Sequence, residues 1–138
     1  MTGDPASTNR TASCQCGRLT ATCTGDPVRV SVCHCLDCQK RSGSAFAAQA
    51  RWPVERVVMA GETRTWSRTG DDGGTATFHF CPTCGSGVYY TTDGQPELVA
   101  VAVGAFADPS FRRPDYSVYE ERQLGWVAIV GEGIDHHD

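Results

Sequence analysis

Apolar and polar positions alternate along most of this chain with a period of two. Leu19, Ala21 and Cys23 interleave with Thr20, Thr22 and Thr24, and Val28, Val30 and Val32 with Arg29, Ser31 and Cys33. Such alternation marks strands that show one face to a core and the other to water. Phe46 to Trp52 reads as extended, with Pro53 ending it. Segments Glu55 to Met59 and Thr63 to Arg68 flank Ala60-Gly61-Glu62, which predicts a hairpin. Residues 69–74, TGDDGG, read as a loop. Thr75 to Cys81 alternates again, with Ala76, Phe78 and Phe80 on one side and His79 and Cys81 on the other. Val88 to Thr92 and Glu97 to Val103 are two further strands, and the second, ELVAVAV, is apolar throughout and so is expected at the centre of a sheet. Tyr116 to Glu121 and Trp126 to Val130 are weaker, late segments. One short helix fits residues 35–42, with Gly43 as its stop.

Composition agrees with an all-β chain rich in turns: 138 residues, 15 of them glycine, with few strong helix formers. That length is one domain. Residues 14–130 are expected to form it, between a disordered arm over 1–13 and a disordered tail over 131–138 that holds His136 and His137. The net charge of −4 argues against a nucleic-acid binder, and no apolar run approaches the ~20 residues of a membrane span. Trp52, Trp66, Tyr89 and Tyr90 accordingly read as core or sheet-face residues, not as a platform for stacking bases. Pairing of two copies through an exposed sheet edge is open to a β-rich chain this small.

Eight cysteines change the picture. Residues 1–13 lack the apolar segment and basic start of a secretory signal, so the chain is expected in the cytoplasm with its thiols reduced. Seven cysteines fall in three clusters: Cys14-Gln15-Cys16, Cys33-His34-Cys35-Leu36-Asp37-Cys38 and Cys81-Pro82-Thr83-Cys84-Gly85. Cys23 stands apart on the apolar side of its strand and reads as a small core residue. Cysteines so close in sequence suit a metal better than disulfides, and the CPTCG turn has the form of a zinc knuckle. Four ligands close a structural zinc site, whereas three leave a position open to water or substrate. Seven cysteines divide into one site of each kind. Cys14, Cys16, Cys81 and Cys84 can make the closed one, leaving Cys33, Cys35 and Cys38 for the open one. Spacing alone also allows the triad to pair with CPTCG, or to recruit a histidine. His34, between two ligands, is expected to point away from them, and His79 is expected in a buried, hydrogen-bonded role.

The motifs Cys14-x-Cys16-Gly17, Cys33-His34-Cys35-x-x-Cys38-Gln39-Lys40-x-x-Gly43, Gly61, Phe80-Cys81-x-x-Cys84-Gly85 and Trp126, in this order, resemble the glutathione-dependent formaldehyde-activating enzyme family, which also includes centromere protein V. The resemblance implies a β-tent, two packed antiparallel sheets around a structural zinc. It implies two Zn²⁺ per chain: a structural ion on Cys14, Cys16, Cys81 and Cys84, and a catalytic ion on Cys33, Cys35 and Cys38. It also implies a carbon–sulfur lyase that joins glutathione, or a related small thiol, to formaldehyde or a related aldehyde. Lys40 and Arg41, just past the triad, are the candidates to meet a glutathione carboxylate, against the plainer reading of a solvated helix face. Two other classes stand beside this one: a non-catalytic zinc scaffold for a protein partner, and an iron–sulfur or thiol-redox protein.

Overall fold

A computed structural model describes residues 8–138. Among the described residues eleven strands make two sheets. Strands β1 (Asn9–Ser13), β2 (Thr20–Thr24) and β5 (Val57–Ala60) form a three-stranded antiparallel sheet in the order β1-β2-β5. The larger sheet contains β3 (Arg29–Cys33), β4 (Ala47–Pro53), β6 (Arg64–Thr69), β7 (Thr75–Phe80), β8 (Gly87–Thr92), β9 (Leu98–Ala102), β10 (Tyr116–Val118) and β11 (Asp135–His136). Its order is β11-β10-β3-β4-β9-β8-β7-β6. The one α-helix among the described residues, α1 (Leu36–Ser42), ends at Gly43 in the left-handed conformation, φ 62°. Among these residues no helix is long and apolar enough to cross a membrane.

The core fills the space between the two sheets. Leu19, Ala21 and Cys23 face it from one side, and Val30, Ala50, Trp52, Val88, Val99 and Val101 from the other. Cys23 is fully buried, and burial pushes its thiol up to about 12, as suits an inert core residue. Trp52, also fully buried, satisfies its indole N–H on the Gly25 carbonyl at 3.0 Å. Strand β9 lies between β4 and β8, the interior place its apolar sequence predicts.

The structure departs from the sequence-based expectations at five places. Asn9–Ser13 is a paired strand, not part of a loose arm: it runs antiparallel to β2, with hydroxyls of Thr11 and Thr22 3.1 Å apart, while residues 1–7 lie outside the described residues. Ala60-Gly61-Glu62 does not close a hairpin. Strand β5 pairs with β2 and β6 with β7, so the chain changes sheet at Gly61. A side chain at Gly61 would have its Cβ 1.9 Å from the Arg18 carbonyl oxygen, and its φ is +102°. The larger sheet is mixed rather than antiparallel, because β10 arrives by a long loop and runs parallel to β3 and β11. The tail over 131–138 is not loose: Asp135–His136 forms β11, and His136 Nδ1 lies 2.7 Å from Glu120. Residues 126–130 form no strand, and Trp126 is 79% exposed.

Candidate metal centres and the adjoining cavity

Strand ends deliver the cysteines. Cys14 follows β1 and Cys16 lies in the turn to β2, while Cys81 and Cys84 lie in the connection between β7 and β8. These four come from the two different sheets, and their sulfurs all lie within 4.8 Å of one another. The Cys14–Cys16 and Cys16–Cys81 Sγ separations are both 3.6 Å. Four thiolates at Zn–S distances of ~2.3 Å sit about 3.8 Å apart on the edges of a tetrahedron, so the set fits zinc. Backbone N–H groups point at the sulfurs: Leu19 donates to Cys14 at 3.2 Å and Thr83 to Cys81 at 3.3 Å. Hydrogen bonding with Ser86 holds the Cys84 thiol well below its ordinary value, and the guanidinium of Arg18 lies against Cys16.

The second cluster is built by β3 and α1. Cys33 is the last residue of β3, Cys35 caps α1, and Cys38 sits in its first turn. The Cys35 sulfur accepts from the Cys38 N–H at 3.3 Å. The three sulfurs lie within 4.8 Å of one another, and no fourth ligating side chain joins them among the described residues. Shared hydrogen bonding polarises the group. Interaction with Cys33 lowers the Cys38 thiol, with Arg41 adding to the effect, and the same interaction raises Cys33. None of the eight cysteines is in a disulfide.

His34 does not join the triad. It is fully buried, and its Nε2 lies 2.8 Å from the Ser117 hydroxyl on β10. Gln39 donates to the His34 carbonyl at 2.8 Å and to the Arg122 carbonyl at 3.0 Å, which ties α1 to the loop beyond β10. His79 stacks on Tyr89, ring centroids 4.5 Å apart, but its buried Nδ1 has no hydrogen-bond partner, so the hydrogen-bonded role expected for it is not found at that nitrogen.

A cavity of about 1060 Å³ lies beside the helix. It opens where β9 ends: pairing of β9 with β4 stops at Ala102, and Ala47 and Ala48 of β4 with Val88 and Tyr89 of β8 line the cavity. Cys14 of the four-thiol cluster, with Ser86 beside the cluster, reaches one part of its wall. Arg41, whose Nη2 lies 3.9 Å from Cys38 Sγ, forms another part. The triad sulfurs themselves do not line it.

Residues 9–122 match the family described as glutathione-dependent formaldehyde-activating enzyme. The chain belongs to that family. Its name describes glutathione-dependent formaldehyde activation, and both thiol clusters lie inside the matched segment. A crystal structure of a Rhodobacter sphaeroides protein has the same fold: it superposes with a TM-score of 0.56 at 19% identity, over 74% of this chain and 90% of that one. No curated protein matches the chain.

Family membership directs attention to the basic pair after the triad. Lys40 is exposed and does not reach the cavity wall. Arg41 does, with its guanidinium 4.6 Å from the Phe78 ring centroid and 5.1 Å from that of Tyr90. Among the described residues it has no carboxylate partner. The salt bridge of Arg68 on β6 to Asp37, at 2.6 Å, holds α1 down over this face of the sheet. Sequence reasoning missed Phe78 and Tyr90 as its supports. They stand opposite each other on β7 and β8, a pairing that alternation cannot reveal.

Proposed function

We propose that this chain is a zinc-dependent carbon–sulfur lyase that forms and cleaves S-hydroxymethylglutathione or a close thiol–aldehyde adduct. In this reading Cys14, Cys16, Cys81 and Cys84 hold a structural Zn²⁺, and Cys33, Cys35 and Cys38 hold a catalytic one. The observation that carries it is an asymmetry: four thiols close one cluster, while three thiols without a fourth ligand adjoin a cavity through Arg41. When bound at the triad, Zn²⁺ supplies an open position and the charge that lets a thiol ionise near neutral pH.

The protein's own groups bind and orient. Arg41 meets a carboxylate of glutathione, because its fork of donors suits a carboxylate and no acidic side chain competes for it. The rings of Phe78 and Tyr90 fix the guanidinium in place, and burial keeps the Tyr90 phenol protonated. His34 and Gln39 brace the β3–α1 junction that carries the three thiols, through Ser117 and Arg122. Free cysteines fit the reducing compartment expected for such a reaction.

Exchange spectroscopy tests this reading. Glutathione and formaldehyde combine unaided, so the zinc-loaded protein must speed adduct exchange above that background. Acceleration that disappears in Cys38→Ser supports it, and no acceleration by the zinc-loaded protein refutes it. The scaffold alternative has no need of a cavity beside an unclosed thiol cluster, and no observation favours it.

A further inference from the structure

One row of side chains crosses six strands of the larger sheet on the face that carries α1. By register it runs Trp66, Phe78, Tyr90, Ala100, Arg51, Arg29. Its first three members are aromatic. Trp66 and Phe78 stack with centroids 6.2 Å apart and planes inclined by 23°, and Phe78 and Tyr90 lie 5.0 Å apart. Arg51 holds the far end by donating to the Tyr90 hydroxyl at 3.3 Å. All three rings line the cavity beside Arg41, yet Trp66 is 56% exposed on the edge strand β6. An indole left half in water beside a cationic guanidinium forms a wall with an apolar face and a charged corner.

A one-carbon aldehyde has no use for such a wall. The cavity volume, about 1060 Å³, lies just above the ~300–1,000 Å³ typical of small-molecule sites. We infer that the carbonyl partner handled here carries a flat aromatic group, which lies against Trp66 and Phe78 while a thiol carboxylate meets Arg41. This rests on the thiol–aldehyde reading above and names the class of aldehyde. Addition balances without an oxidant or reductant. A sulfur–carbon bond forms as the carbonyl π bond breaks, and the thiol proton ends on the carbonyl oxygen. Cleavage is the reverse.

Stable thioether analogues test the wall by binding alone. S-Benzylglutathione carries a ring where S-methylglutathione has a methyl group. Calorimetry on the zinc-loaded protein should give the benzyl compound an affinity at least about tenfold higher, the scale expected for one aromatic contact plus its buried area. Trp66→Ala should bring the ratio close to one, and Trp66→Phe should retain most of it. Because Trp66 is half exposed, folding of these variants is not at stake, and Phe78→Leu provides an independent reduction of the ratio. Equal affinities in the wild type overturn the inference while leaving formaldehyde exchange to decide the broader reading. A ratio unchanged in both Trp66→Ala and Phe78→Leu removes the wall from recognition. Failure to bind either analogue overturns the glutathione subsite and this inference together.

Discussion

The guanidinium of Arg41 lies 4.6 Å from the ring centroid of Phe78, held by a strand that is 37 residues away in sequence but directly beneath the helix. On the proposed reading that position makes it a binding group rather than a reacting one. Arg41→Ala should therefore raise KM for glutathione by about tenfold or more, the scale of a charge-assisted hydrogen bond of ~1.5–3 kcal/mol, with a smaller change in kcat. Arg41→Lys should recover part of the loss, because lysine keeps the charge but not the fork. Steady-state kinetics above the uncatalysed background checks both, and a fall in kcat with KM unchanged would contradict the assignment.

The two thiol clusters should fail differently. Cys84→Ser removes a ligand from the closed set that joins the sheets, so the protein should unfold or become insoluble. Cys38→Ser should stay folded, bind about one zinc per chain instead of about two, and lose adduct exchange. Elemental analysis with circular dichroism separates the cases. Equivalent behaviour of the two variants means the roles are wrongly divided.

Gly61→Ala should destabilise by at least about 2 kcal/mol, since it combines an unfavourable positive φ with a Cβ placed 1.9 Å from the Arg18 carbonyl oxygen. Denaturant unfolding of the zinc-loaded protein measures it. Gly94→Ala, with nothing within 4 Å of the added carbon, is the matched control and should cost far less.

Asp115 should impose a pH slope on stability. Partial burial pushes its carboxyl up, but hydrogen bonds from Arg112 and the Val30 N–H, with the charges of Arg112 and Arg113, outweigh this and hold it below the usual range. A carboxyl held lower in the folded chain than in the unfolded one adds stability above about pH 4. That stability is lost as pH falls through the folded value. Asp115→Asn should be less stable than wild type at pH 7, and the gap should narrow below about pH 4. Melting curves of both proteins across that range check the sign, and acid release of metal affects the two alike.

Much of this fold was legible because period-two alternation and burial are the same fact seen twice. Leu19 to Thr24, Val28 to Cys33 and the β7 to β9 segments became strands near their expected bounds, and the apolar β9 took its interior place. Partner choice was not legible. Segments β5 and β6 each read correctly as strands, but nothing in their alternation says that one joins β2 and the other β7. Asn9–Ser13 escaped notice because only Ala12 of its side chains is buried, and its polar residues serve a cross-strand ladder instead. Trp126 and Val130 misled in the opposite sense, being apolar yet exposed. Cysteine spacing gave both clusters but allowed other groupings, and only the strand ends brought Cys14 and Cys16 to Cys81 and Cys84. Lys40 and Arg41 are neighbours in sequence, and only the helix's seat over Phe78 and Tyr90 separates an outward lysine from an inward arginine.

The four-thiol junction between the small sheet and the large one has a last consequence. Its donors stand close enough to share one ion, and a clasp closed by such an ion would need no oxidising partner, so a phosphine reductant that does not compete for zinc should leave it fastened. Chelators and acid, which would compete for that ion or for the sulfurs, should be the agents that prise the two leaves apart.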